Sequence, residues 1–123
     1  KGMSRSKRNK EGVSMIEKVY YIRFPVSDLK RAISFYENIL GLKKTTEWPT
    51  GAIFDVGGVQ FGPELGRKQE IFLLVDDVDK AYQRLKEKGV KFVTEPKDQH
   101  WGARTATFVD SEGNMFTLEH FKK

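Results

Sequence analysis

The chain contains no cysteine, so disulfide frameworks, thiolate zinc sites, iron–sulfur clusters and cysteine nucleophiles are excluded together. It has two histidines, His100 and His120, too few to build an imidazole-rich metal centre. It lacks a G-x-S-x-G elbow for a serine nucleophile and a P-loop lysine motif, and the G-G-V-Q-F-G run at 57–62 reads as hairpin glycine, not a phosphate cradle. No apolar run approaches the roughly 18–20 residues that span a bilayer, and the N-terminus carries no apolar signal segment, so the expected setting is soluble and cytoplasmic, with no membrane partner.

An acidic or basic bias on the body of the chain is also missing. Of the net charge of +5, residues 1–14 supply +4, through Lys1, Arg5, Lys7, Arg8 and Lys10 against Glu11, leaving +1 for the rest. A basic tail on a near-neutral body is not the footprint of a nucleic-acid-binding fold. Residues 1–15 are therefore read as a basic, disordered extension, and 16–123 as one domain with halves at about 16–66 and 67–123.

What is present is a repeated grammar. Tyr20 to Val26, then Ser27-Asp28, then LKRAISFYENIL, then Gly41, is matched by Ile71 to Val75, Asp76-Asp77, VDKAYQRLKEK and Gly89. Runs rich in β-branched and aromatic residues suit strands, and the polar pair suits a helix N-cap, where side-chain oxygens accept from the free N–H groups of the first turn. Leu29, Ala32, Ile33, Tyr36 and Ile39/Leu40 recur at helical spacing, as do Val78, Ala81, Tyr82 and Leu85, and the glycines stand where a left-handed residue ends a helix. Strand material comes after each helix: 42–48, 52–56 and 59–62 in the first half, 90–94, 105–109 and 115–121 in the second. Gly57-Gly58 and Gly113-Asn114 mark hairpins. The fold class is α+β, two βαβββ modules forming a curved, partly open sheet with a concave cup, or two such sheets sharing a core.

Alternation along the strands assigns faces. Tyr20, Ile22, Phe24 and Val26 are placed against the helix with Tyr21 and Arg23 opposite; Ile71, Leu73 and Val75 against the second helix with Glu70 and Phe72 opposite; and Phe116 and Leu118 inward with Met115, Thr117 and Glu119 opposite. Polar residues of several strands thereby converge on the cup.

The elements VSDLKRAISFYENILGL (26–42), VDDVDKAY (75–82), WGAR (101–104) and DSEGNMF (110–116) resemble, in order and spacing, the glyoxalase/bleomycin-resistance/extradiol dioxygenase superfamily, also called vicinal oxygen chelate proteins. The resemblance covers residues 17–121. It implies one divalent metal in the cup and places its ligand positions at Tyr21, Gly62, Glu70 and Thr117, of which only Glu70 is a conventional ligand. The metal site is therefore expected to be lost and no cofactor is assigned, although Glu64, Glu70 and Glu119 offer a displaced carboxylate set suited to Mg²⁺ or Mn²⁺.

Three functional readings stand at this point. In the first, the cup binds a small molecule without metal: Trp48 and Trp101 stack at the rim, Tyr21, Phe72 and Met115 form the floor, Thr117 and Glu119 line it, and Arg23 and Arg104 meet an anionic group while Glu70 meets a cationic one. In the second, the chain is a lactoylglutathione lyase-like or dioxygenase-like enzyme with Glu70 as metal ligand or base, unless Arg23 pairs with Glu70 across neighbouring strands. In the third, the cup is filled by its own side chains and the role is structural. A homodimer is expected under each.

Overall fold

The computed structural model describes residues 15–122. The basic extension expected over 1–15 lies outside them except for Met15, which packs against the core of the second half. Among the described residues no helix is long and apolar enough to cross a membrane.

The first half runs β1 (Ile16–Val26), α1 (Leu29–Ser34), a π-helical turn (Phe35–Ile39), β2 (Lys43–Trp48), β3 (Gly51–Val56) and β4 (Val59–Leu65). The second runs β5 (Glu70–Val75), α2 (Val78–Glu87), β6 (Lys91–Phe92), β7 (Lys97–Asp98), β8 (Ala103–Val109) and β9 (Met115–Phe121). The capping aspartates act as their sequence position predicts: Asp28 accepts from the Arg31 N–H and Asp77 from the Lys80 N–H, each at 3.1 Å. Gly57 and Gly58 take φ of 60° and 87°, the left-handed pair that a two-residue hairpin needs between β3 and β4.

The nine strands make one sheet in the order β2-β3-β4-β1-β5-β9-β8-β6, with β7 added alongside β8. Within each half the first strand pairs in parallel with the last, β1 with β4 and β5 with β9, and the halves meet through the antiparallel pair β1–β5. The alternative of two sheets sharing one core is thus corrected: the sheet is continuous and the core is divided. One cluster, Ile33, Ala52 and Phe54 with Tyr36 and Phe61 against it, lies under α1. The larger cluster, including Val75, Val78, Ala81, Tyr82 and Leu118, lies under α2.

Several boundaries differ for local reasons. Helical spacing placed Ile39 and Leu40 in the core, yet they are 71% and 51% exposed. The wider turn is responsible: Leu40 N–H reaches back to the Phe35 carbonyl, adding a residue to the loop and rotating the end of the helix out to solvent. β4 continues through Pro63, whose missing N–H coincides with a gap in its pairing to β3 between Gly51↔Glu64 and Phe54↔Phe61. The strand expected over 90–94 shrinks to Lys91–Phe92, since Val93 and Thr94 turn to bond Thr107 individually.

Candidate functional site

The first sequence-derived expectation to fail at the site is the orientation of Tyr20. The β1–β5 register shifts between Ile16 and Lys18 and again between Val19 and Tyr21, and an irregularity of this kind breaks the two-residue alternation. Tyr20 and Tyr21 therefore both reach the concave face, where a cavity of about 380 Å³ opens. Ligand cavities run at roughly 300–1,000 Å³, so there is room for a compact small molecule.

Six aromatic side chains line this cavity, namely Tyr20, Tyr21, Trp48, Phe72, Trp101 and Phe121, together with Arg23, Glu64, His100 and Glu119. Phe121 was legible in principle, being the next outward residue after Thr117 and Glu119 on β9; Gln60 and Ile53, from β4 and β3, also contribute and carried no distinguishing signal. Trp48 reaches the wall because Gly51 leaves space: a Cβ there would stand 2.7 Å from both the Trp48 ring and Glu64 Oε1. Glu64 accepts from the Thr50 hydroxyl at 2.9 Å. Trp101, half exposed at the rim, donates its indole N–H to Glu119 at 3.0 Å.

At the floor, Arg23 donates from Nη2 to Glu70 Oε1, and the Thr117 hydroxyl engages Glu70 Oε2. Thr117 in turn meets the Thr107 hydroxyl at 2.7 Å. The ion pair that sequence left open between neighbouring strands is formed, and Glu70 lies behind Arg23, outside the cavity lining. The Arg23 guanidinium stands 5.2 Å from the Phe72 ring centroid, within cation–π range, and Tyr21 packs on the same ring at 4.9 Å. Burial pushes the Tyr21 phenol up to about 12, Arg23 opposing and Glu64, Glu70 and Glu119 adding to the rise. Burial likewise lifts the Glu119 carboxyl, against the indole hydrogen bond that pulls it down.

Besides Glu70, three assigned residues do not line the cavity, Thr117 being buried beneath it at 2% exposure. Arg104 turns away from the cup and is held by Asp79 at 2.8 Å and Asp98 at 3.0 Å, so it is a structural ion pair and not a ligand contact. Met115, level with Glu70 at the start of β9, does not line the cavity. The histidines are not brought together: His100 packs its ring on Trp101 at the rim, while His120 Nδ1 accepts the Val78 N–H at the start of α2.

A family model for the glyoxalase/bleomycin resistance protein/dioxygenase superfamily matches residues 18–67 and 62–118, once over each half. The chain belongs to this superfamily. It is 35% identical over 125 residues to the uncharacterized protein YraH of Bacillus subtilis, spanning 82% of this chain and 96% of that one. It is 25% identical over 129 residues to the metallothiol transferase FosB of Lysinibacillus sphaericus, spanning 88% and 92%. Among solved structures, methylmalonyl-CoA epimerase from Mycobacterium tuberculosis superposes with a TM-score of 0.77 at 20% identity over 95% of this chain and 96% of that one, a likeness of fold.

The superfamily's metal positions can be tested against this cup. Glu70 has both oxygens engaged. The Tyr21 phenol is held neutral, and a neutral phenol is a poor ligand. At Gly62 a side chain would collide with the Ala52 carbonyl and press on Tyr21 Oη at 3.2 Å, so that corner is already full. Thr117 offers a hydroxyl committed to Glu70 and Thr107. The set does not fit a divalent ion. The displaced alternative fares no better, since Glu64, Glu70 and Glu119 are tied to three different partners, and among the described residues no cluster of three or more histidine and carboxylate side chains could hold a metal.

Proposed function

We propose that this superfamily member is a small-molecule receptor, binding a flat aromatic ligand in the cup without a metal ion. One observation carries the reading: six aromatic rings surround a cavity whose two lining carboxylates are each held by a hydrogen-bond donor, Glu64 by Thr50 and Glu119 by Trp101, so stacking area dominates what an incoming molecule meets. The engagement of Glu70 by Arg23 and Thr117 supports binding in preference to lyase-like or dioxygenase-like turnover through that carboxylate. The protein acts in the cytoplasm as a homodimer under this reading, in keeping with its lack of cysteine and with the prevalence of two-fold assemblies. No nucleic-acid partner is assigned under this reading.

Trp48 and Trp101 provide the readout. Titration with planar dyes, neutral acridone and cationic proflavine, is expected to quench their fluorescence with micromolar dissociation constants, and Trp101→Ala is expected to weaken binding about tenfold, the scale of one aromatic contact. Failure of both dyes to bind removes the reading. A parallel titration of chelator-stripped protein with Mg²⁺, Mn²⁺, Ni²⁺ and Zn²⁺ is expected to show nothing tighter than about millimolar, on the order of 4 kcal/mol. Micromolar binding abolished by Glu70→Gln would instead make metal-assisted chemistry the leading explanation.

A further inference from the structure

We infer that Arg23 is the recognition group of the cup, and that it recognises a neutral oxygen acceptor, a ring carbonyl on a planar aromatic molecule. The inference rests on the receptor reading and names what the ligand must carry. In the sheet register Arg23 faces Gly62 on β4 and Glu70 on β5, which puts its guanidinium at the seam of the two halves, among the four positions where the superfamily pattern calls for metal ligands. A cation thus occupies the centre of the cup, but it is a covalently attached one.

That cation is incompletely satisfied. Nη2 is engaged by Glu70, whereas Nε is buried with no partner among the described residues. Buried donors nearly always have acceptors, because folding has removed the water that served them in the unfolded chain. Both Glu70 oxygens are engaged, one by Nη2 and the other by Thr117, and neither accepts from Nε. The chain Thr107–Thr117–Glu70–Arg23 anchors one edge of the guanidinium, leaving the Nε edge as the one a ligand can claim. Nε is shielded from water as the side chain stands, so the guanidinium must turn that edge toward the cavity as the acceptor arrives.

Charge decides which acceptor. Glu70 already offsets Arg23, and Glu64 and Glu119, both largely buried, line the same cavity. A carboxylate or phosphate on the ligand would meet those two carboxylates with little solvent to screen it. A purely cationic ligand would suit them but leave Nε unpaired. A carbonyl oxygen satisfies the donor and adds no charge.

The experiment compares acridone, which carries a ring carbonyl, with proflavine and with anthracene carboxylate, on wild type and on Arg23→Lys, which keeps the charge and loses the planar fork. Acridone affinity is expected to fall about tenfold or more in Arg23→Lys, while proflavine affinity stays within about threefold. In wild-type protein uniformly labelled with carbon-13 and nitrogen-15, the Arg23 Nε–H resonance, assigned by through-bond correlation to its own backbone, is expected to move downfield with acridone and to stay in place with proflavine; this measurement does not depend on the variant folding. Unchanged acridone affinity with an unmoved Nε–H signal overturns the inference and leaves the aromatic receptor standing. Tighter binding of anthracene carboxylate than of acridone overturns it as well. Failure of every dye to bind wild type overturns both.

Discussion

Glu119 is 3% exposed and lines the cup within the field of Glu70, which lies outside the lining. Burial, reinforced by Glu70, raises its carboxyl above the ordinary value of 4.5, so the folded state holds the proton more tightly than the unfolded chain does. Stability is therefore fullest below that ordinary value and declines as the pH rises through the raised one, remaining lower at neutrality. Glu119→Gln keeps an acceptor for the Trp101 indole and removes the buried charge. Its melting temperature at neutral pH is expected to exceed that of wild type, with a flatter profile from mild acid upward; a lower value would show that the charge is better compensated than its surroundings indicate. Gly62 makes the opposite case. A Cβ there meets the Ala52 carbonyl, a backbone atom that cannot swing aside, and Gly62→Ala is expected to destabilise by about 1–3 kcal/mol in urea titration. That position 62 lacks a metal ligand could be seen in the sequence. That Tyr21 fills its space could not, because the contact joins β1 and β4, whose parallel pairing across the intervening helix leaves no local trace in the sequence.

At the scale of elements, local grammar was legible where the physics is local. Asp28 and Asp77 cap the helices, and Gly41 and Gly89 end them in left-handed geometry at φ of 70° and 93°. What escaped were departures from regular period: the register shifts that turn Tyr20 into the cup, and the π-helical turn that turns Ile39 out of the core. Long-range pairing also escaped. Arg104 stands near Trp101 in sequence, but its guanidinium leaves the cup and joins Asp98 of β7 to Asp79 of α2, while Lys122 holds Asp98 from the other side. These pairs are largely exposed and screened by solvent, so Arg104→Met is expected to leave the melting temperature nearly unchanged. Its effect belongs to the loop between β7 and β8. Hydrogen exchange at 99–102 is expected to quicken in the variant, and unchanged exchange there would show that the Gly102 backbone bonds hold the rim unaided.

For the molecule as a whole, the two-module plan, the class of fold, the curved open sheet and the cup were visible in sequence because they stem from a repeat, whereas the strands that join the halves were not, because β1–β5 pairing leaves no local trace. That pairing carries a consequence for the ribosome. β1 is the first strand to be synthesised among those described, and its neighbours in the finished sheet are β4 and β5, which emerge only after a helix and two further strands. A nascent chain thus displays β1 with both backbone edges bare, and a bare apolar strand is a template for pairing with the wrong partner. Glu17, Lys18 and Arg23 interrupt its apolar run, and charges so placed oppose misassembly between neighbouring polysomes until the proper strands arrive.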